Sequence, residues 1–322
     1  MKSTELRTSI PDTCFRQFIK HLRYDFWLYA MLLPGLIYFV VFCYLPLYGI
    51  SIAFRDYNIA RGFANAPFIG MEIFEKLFSR SAFIRALTNN IRISLMKIVL
   101  GFPLPIILSL IINEVWNARY KRFVQSVVIL PSFISWFVIY GILVAMCNLT
   151  DGVIPTLIYR FNDTFGTNFN AVNFMTNKNT FDAYIMLTYI WKEIGMGTVV
   201  YLAAIVAIDQ QLYEAAMIDG AGRLRQIWHI TLASLRPIII TLLIFRVGNV
   251  MNAGFDQIFA LSNSLVISVA DIIDTYVYRI GMEEAKFSMA TAAGLFKSVI
   301  GLVLVLITNA LARRVDLDSA IM

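Results

Sequence analysis

Apolar residues run in long blocks along this chain, separated by shorter polar stretches. Residues 27–54 contain no charge and are long enough to cross a bilayer, which needs about 20 apolar residues. Further blocks of membrane length fall at 93–113, 123–147, about 181–208, about 235–254 and 287–312. Pro34 and Pro46 are places where the first block can kink. Between the blocks, 55–92 is a mixed polar loop. Residues 148–180, rich in Asn, Thr and Asp, read as an exposed loop, and 255–286 reads as a polar loop. The first 25 residues place Phe15, Phe18, Ile19 and Leu22 on one helical face opposite Arg16, Lys20 and Arg23, the pattern of a short amphipathic helix at a membrane surface. The pattern predicts an all-α polytopic membrane protein: an N-terminal segment 1–25, six transmembrane helices within 26–314, and a tail 315–322.

Composition agrees. Of 322 residues, 59% are hydrophobic and 15% charged, against roughly 45–50% apolar in a soluble domain. The net charge of +6 sits in loops, so nucleic acid is not an expected partner; the lipid bilayer is. Cys14, Cys43 and Cys147 have no disulfide or metal spacing, and His21 and His229 stand far apart. The segments 1–25, 114–122, 209–235 and 313–322 carry 12 Lys and Arg in about 70 residues; the opposite loops carry 10 in a little over 100. That bias places both termini and the 209–235 loop in the cytoplasm.

The 209–235 loop is the most informative stretch. Tyr213, Ala216, Met217, Gly220, Ala221, Leu224, Ile227 and Trp228 recur at helical spacing, with Glu214, Asp219, Arg223 and Arg225 between them. Asp219-Gly220 followed by Gly222 is a turn signal, so two short helices joined at the glycines are expected. Asp219 can cap the second of them or pair with a basic residue.

Five charged residues fall inside spans: Lys97, Lys192, Glu193, Arg246 and Lys297. Each is costly in hydrocarbon and by default faces a cavity or a partner. Together with Trp191, Asn249 and Asn252, these charges, Lys192, Glu193, Arg246 and Lys297 foremost, can line a polar path suited to sugars: indoles stack on sugar rings, and amides and charges bond hydroxyls. The alternatives are structural. Lys97 can snorkel outward, and Lys192 or Arg246 can pair with Glu193. No GxxxxGK[ST] loop and no catalytic constellation is present in the sequence, so neither an ATPase nor another enzyme is expected.

Glu214-Ala215-Ala216, Asp219-Gly220-Ala221 and Ile230-x-Leu232 resemble the EAA motif of bacterial binding-protein-dependent ABC importer permeases. Ala233 stands where that family usually has proline. The resemblance implies a cytoplasmic coupling helix, with Glu214, Ala215, Ala216, Asp219, Gly220, Ala221 and Gly222 facing an ATPase. Asn89-Asn90, Gly101-Phe102-Pro103, the run from Leu130 to Trp136, Asp271 to Tyr278 and Gly294 to Lys297 are similar to the carbohydrate-uptake branch, the permeases for oligosaccharide or polysaccharide fragments. What that implies is a bacterial cytoplasmic-membrane assembly. It would hold a second homologous permease, two ATPase subunits carrying ATP and Mg, and an extracellular substrate-binding protein, with no cofactor in this chain. Two other readings are an ATPase-associated sensor that does not transport, and an ion-coupled secondary transporter. A sensor is expected to carry a signalling domain. A secondary transporter often shows an internal repeat, and none is evident between the halves.

Overall fold

The computed structural model describes residues 26–170 and 173–315. It is helical almost throughout; the one β-bridge among the described residues joins Arg55 and Phe68. The proposed amphipathic segment 1–25 and residues 316–322 of the tail lie outside the described residues. In chain order the helices are α1 (Phe26–Phe54), α2 (Glu72–Phe78), α3 (Ser81–Asn113), α4 (Ala118–Phe133), α5 (Trp136–Cys147), α6 (Val153–Phe165), α7 (Phe181–Val206), α8 (Gln210–Ile218), α9 (Arg223–Gly248), α10 (Phe255–Leu261), α11 (Ile267–Ala270), α12 (Ile273–Tyr278) and α13 (Phe287–Val315). Five of them, α1, α3, α7, α9 and α13, are long and apolar enough to cross a membrane, and the pair α4–α5, bent at a short break, brings the number to six if it is counted as one broken span.

The chain divides after Ile52 into two compact units. The first, described from Phe26, is apolar on every side and has no buried residue, as suits a helix in lipid. Pro34 is carried inside its α-helical part. Pro46 has no N–H to offer the carbonyl of Phe42. The helix widens there into a π turn, Val40–Tyr44, closed by Leu45 N–H on the Val40 carbonyl, and continues as a tighter 3₁₀ helix.

In the second unit the same device recurs in α3, where the π turn Lys97–Gly101 precedes Pro103 and Pro105. This helix starts at Ser81, well before residue 93. Its early turns carry Arg85 and Arg92, which lower the hydropathy; Arg92 is neutralised by Asp182 at 3.1 Å and donates to the Val269 carbonyl at 2.7 Å.

The third span is not one continuous helix. A 3₁₀ turn, Leu130–Phe133, ends α4 at Pro131, Ile134 is extended, and Ser135 caps α5 by accepting from Val138 N–H at 3.3 Å. The two halves meet at 99°. Lys192 holds the break: its ammonium donates to the carbonyls of Pro131, Ser132 and Ile134 at 3.5, 2.8 and 2.6 Å, and Ser132 Oγ donates back to the Lys192 carbonyl at 2.9 Å. A cation at a helix C-terminus meets both the unpaired carbonyls and the dipole.

The loops also differ from expectation. Residues 148–180 contain the amphipathic helix α6. Residues 255–286 are not a polar surface loop but part of both cores. Ile258, Leu261, Val266, Ala270 and Ile272 pack with Ile93, Phe181 and Ile185, while Tyr276 and Ile280 pack with Phe83, Leu77 and Ala293. The charges that made this stretch read as polar are paired. Arg279 grips the buried Asp271 carboxylate through two bonds, at 3.1 and 2.5 Å, and Lys297 meets Asp274 at 2.6 Å. Side chains of α3 fasten the segment. Asn89 donates to the Ser268 and Asp271 carbonyls, and Asn90 to that of Met251.

Candidate functional site

Three adjoining cavities open around the C-terminal end of α9. One of about 250 Å³ is walled by Ser94 and Lys97 of α3, Trp136 of α5, Tyr189 and Glu193 of α7, Arg246, and Asn249, Asn252 and Gln257. A second, of about 490 Å³, shares Glu193, Arg246, Asn249 and Asn252 and reaches Phe102, Met196 and Tyr201. The third, of about 390 Å³, shares Asn249 and Asn252 and lies against Asp274 and Lys297. Volumes of this order suit a small-molecule or oligomer segment.

The sequence candidates are only partly brought together. Glu193, Arg246, Asn249 and Asn252 share cavity walls, and Lys297 borders the adjoining one, held by Asp274. Lys192 is buried at the α4–α5 break, its three protons directed at carbonyls. Trp191 is half exposed and belongs to none of these three walls; the indole that does is Trp136, the first residue after the break. Lys97 does not snorkel outward. Its ammonium donates to the Ala253 carbonyl and to Gln257 Oε1, both at 2.6 Å, and stands 4.5 Å from the Tyr189 ring centroid. Gln257 in turn donates to the Ile185 carbonyl and Thr188 Oγ1. Glu193 and Arg246, although on the same walls, form no ion pair within 4.0 Å with each other or with any other described residue.

Trp136, Tyr189 and Gln257 were not among the path residues read from the sequence, whereas Lys97 was one of the span charges expected to face a cavity and does so. Trp136 had entered only as the end of the run from Leu130 to Trp136. Gln257 lay in a stretch read as loop.

At the other end, the 209–235 loop forms two helices joined at glycines. Asp209 caps α8 by accepting from Gln211 N–H at 2.9 Å. Gly220 takes φ +76°, and Ala221 N–H closes on the Ala216 carbonyl at 2.8 Å. The second helix is not short: it is the start of α9, which runs through a π turn at Ile227–Thr231 into span five. Its cap position is taken by Gly222; Asp219 ends α8 and is exposed. Tyr213 Oη and Thr231 Oγ1, 2.9 Å apart, tie the two helices together. Arg223 bonds Glu114 at 2.9 Å and stands over the Trp116 ring. Glu214, Ala215, Gly220 and Gly222 are exposed, Ala216 and Ala221 half-buried. Ile218, Leu224 and Trp228 expose 87%, 83% and 70% of their surface, an apolar face on a polar loop.

Residues 101–317 match the family described as binding-protein-dependent transport system inner membrane component. Protein LplB of Bacillus subtilis (strain 168) is 42% identical over 298 residues, 92% of each chain. The polygalacturonan/rhamnogalacturonan transport system permease protein YteP of the same organism is 41% identical over 288 residues, 89% of this chain and 88% of that one. The fold superposes with a TM-score of 0.84 on a chain in the crystal structure of a bacterial ABC transporter involved in the import of the acidic polysaccharide alginate, at 38% identity over 92% of this chain and 99% of that chain. It also superposes, with a TM-score of 0.83 and 38% identity over 92% of this chain and 97% of that chain, on the bacterial alginate ABC transporter in complex with alginate pentasaccharide-bound periplasmic protein.

Proposed function

The chain belongs to the binding-protein-dependent inner membrane components, the permease subunits of ABC importers, and from that premise we propose that it forms half of the path by which an oligosaccharide or polysaccharide fragment crosses the membrane. It is a multi-pass membrane protein and a transport subunit, with ATP hydrolysis left to a partner.

The observation that carries the path is the exposed strip Arg246, Asn249 and Asn252 at the end of α9. A guanidinium turned to hydrocarbon costs about 2.5–3.5 kcal/mol or more. The strip therefore faces water or a partner subunit, and the cavities beside it are the water-accessible choice. Glu193 shares its walls, Lys297 borders it, and Trp136 supplies a ring face on which sugars stack. The named substrates of YteP and of the alginate transporter support carbohydrate as the cargo.

In this reading a related permease completes the path, and an extracellular binding protein delivers the substrate, as the alginate transporter's complex with its periplasmic protein suggests. Two ATPase subunits, which hold ATP and Mg, dock against residues 214–222 and the apolar face beside them. Both termini lie in the cytoplasm of a bacterial cell. ATP-driven closure of the ATPases moves α8, and the spans rock between inward-open and outward-open states.

The test is co-purification from the native host, then reconstitution in nanodiscs. ATPase activity that rises with the binding protein plus one oligosaccharide supports the reading. A chain that purifies without an ATPase, or an assembly indifferent to every sugar tried, sinks it.

A further inference from the structure

Of the four cations that the sequence places deep within spans, Lys97, Lys192, Arg246 and Lys297, three are held by partners within the protein. Lys192 is spent on carbonyls, Lys297 on Asp274, and Lys97 on Ala253, Gln257 and the Tyr189 ring. Arg246 is the fourth. It is exposed, it lines two adjoining cavities, and no carboxylate lies within 4.0 Å of it among the described residues. Glu193 stands on the same two walls without closing on it.

We propose that Arg246, opposed by Glu193, selects sugar units that carry a carboxylate, so that the cargo is a uronate-containing oligosaccharide. This rests on the reading of the chain as an oligosaccharide permease. A guanidinium offers a carboxylate a planar pair of donors, which no neutral hydroxyl matches in strength. A neutral sugar filling the cavity strips water from Arg246 and returns less. Glu193 sets the other limit. A path must hold its cargo weakly enough to release it, and a fixed carboxylate beside Arg246 competes with the passing one. Trp136 at the same wall stacks the ring while the carboxylate is read.

The experiment uses the assembled transporter in proteoliposomes with its binding protein. It compares uptake of an oligouronate with uptake of its carboxyl-reduced, neutral counterpart of equal length. The same binding protein serves every variant, so a change in the acid-to-neutral ratio belongs to the permease. Arg246→Gln is expected to lower that ratio about tenfold, and Arg246→Lys, which keeps the charge but loses the planar pair of donors, to lower it by a smaller factor of about three. Glu193→Gln is expected to lower the half-saturating concentration of the oligouronate and leave that of the neutral sugar in place. If Arg246→Gln depresses both substrates in proportion, or leaves the ratio unchanged, the inference is overturned; if that variant does not assemble, an unmoved ratio in Glu193→Gln overturns it. Wild-type protein that transports neither oligosaccharide but does transport another sugar overturns the inference alone, and one that transports no sugar tried overturns the permease reading beneath it.

Discussion

The ammonium of Lys192 lies 2.6 Å from the carbonyl oxygen of Ile134, across the 99° break between α4 and α5. With the bonds to Ser132 and Pro131, one buried cation closes the open end of a broken helix inside a membrane protein. Lys192→Met leaves those carbonyls without a donor and is expected to lower stability by about 1.5–3 kcal/mol. Unfolding in detergent, followed by tryptophan fluorescence, reads the loss. An unchanged midpoint would mean that water replaces the ammonium.

The two glycines of the 209–235 loop are expected to behave differently. Gly220 sits at φ +76°, and a Cβ there would meet nothing within 4 Å, so a substitution is strained by backbone alone. Gly220→Val is expected to cost about 1–2 kcal/mol locally and to lower transport per ATP hydrolysed. Gly222 has φ −69° and equally open surroundings, and Gly222→Ala is expected to stay within about 0.5 kcal/mol of wild type. Equal coupling ratios in the two variants would refute the distinction.

Gly195 is a contact point between helices. A Cβ there would overlap the Val128 carbonyl oxygen, a backbone atom that cannot swing aside. Gly195→Ala is therefore expected to push α7 from α4 and to destabilise by about 1–3 kcal/mol. Gly141→Ala, where nothing lies within 4 Å, serves as the control and is expected to be neutral or mildly stabilising. Thermal midpoints that move together in the two variants would count against close packing at Gly195.

Asp271 is 3% exposed and bonds both Arg279 and Thr275. The hydrogen bond from Arg279 to the Asp271 carboxylate holds the guanidinium above its ordinary pKa. Asp271→Asn strands that charge and is expected to cost about 3 kcal/mol, while pairing it with Arg279→Met recovers part of the loss. Denaturation of the single and double variants measures the recovery; additive losses would show that the pair acts independently.

The spans and the glycine joint of the 209–235 loop were legible because both rest on local patterns: a run of apolar residues, and a turn dipeptide between periodic stretches. The break at Pro131 was not, because residues 123–147 are uncharged throughout and hydropathy cannot see an extended residue at Ile134. The burial of 255–286 was hidden for the opposite reason. Asp271, Asp274 and Arg279 count as polar one at a time, and only their partners in space make them compatible with a core. The same limit governs the path. Arg246, Asn249 and Asn252 stood out as polar groups in or beside a span, but whether Lys192 was held by Glu193, by carbonyls or by nothing depended on a helix end contributed from sixty residues away.

Asn89, Asn90, Arg92 and Lys97 all reach from α3 to main-chain carbonyls of residues 251–271. Every residue has a carbonyl, so these grips ask little of the side chains they hold in place. An exposed cavity-lining residue of this segment such as Asn252 can thus change over evolutionary time while the anchorage stays put. A transporter built this way can acquire a new cargo without having to reinvent its frame.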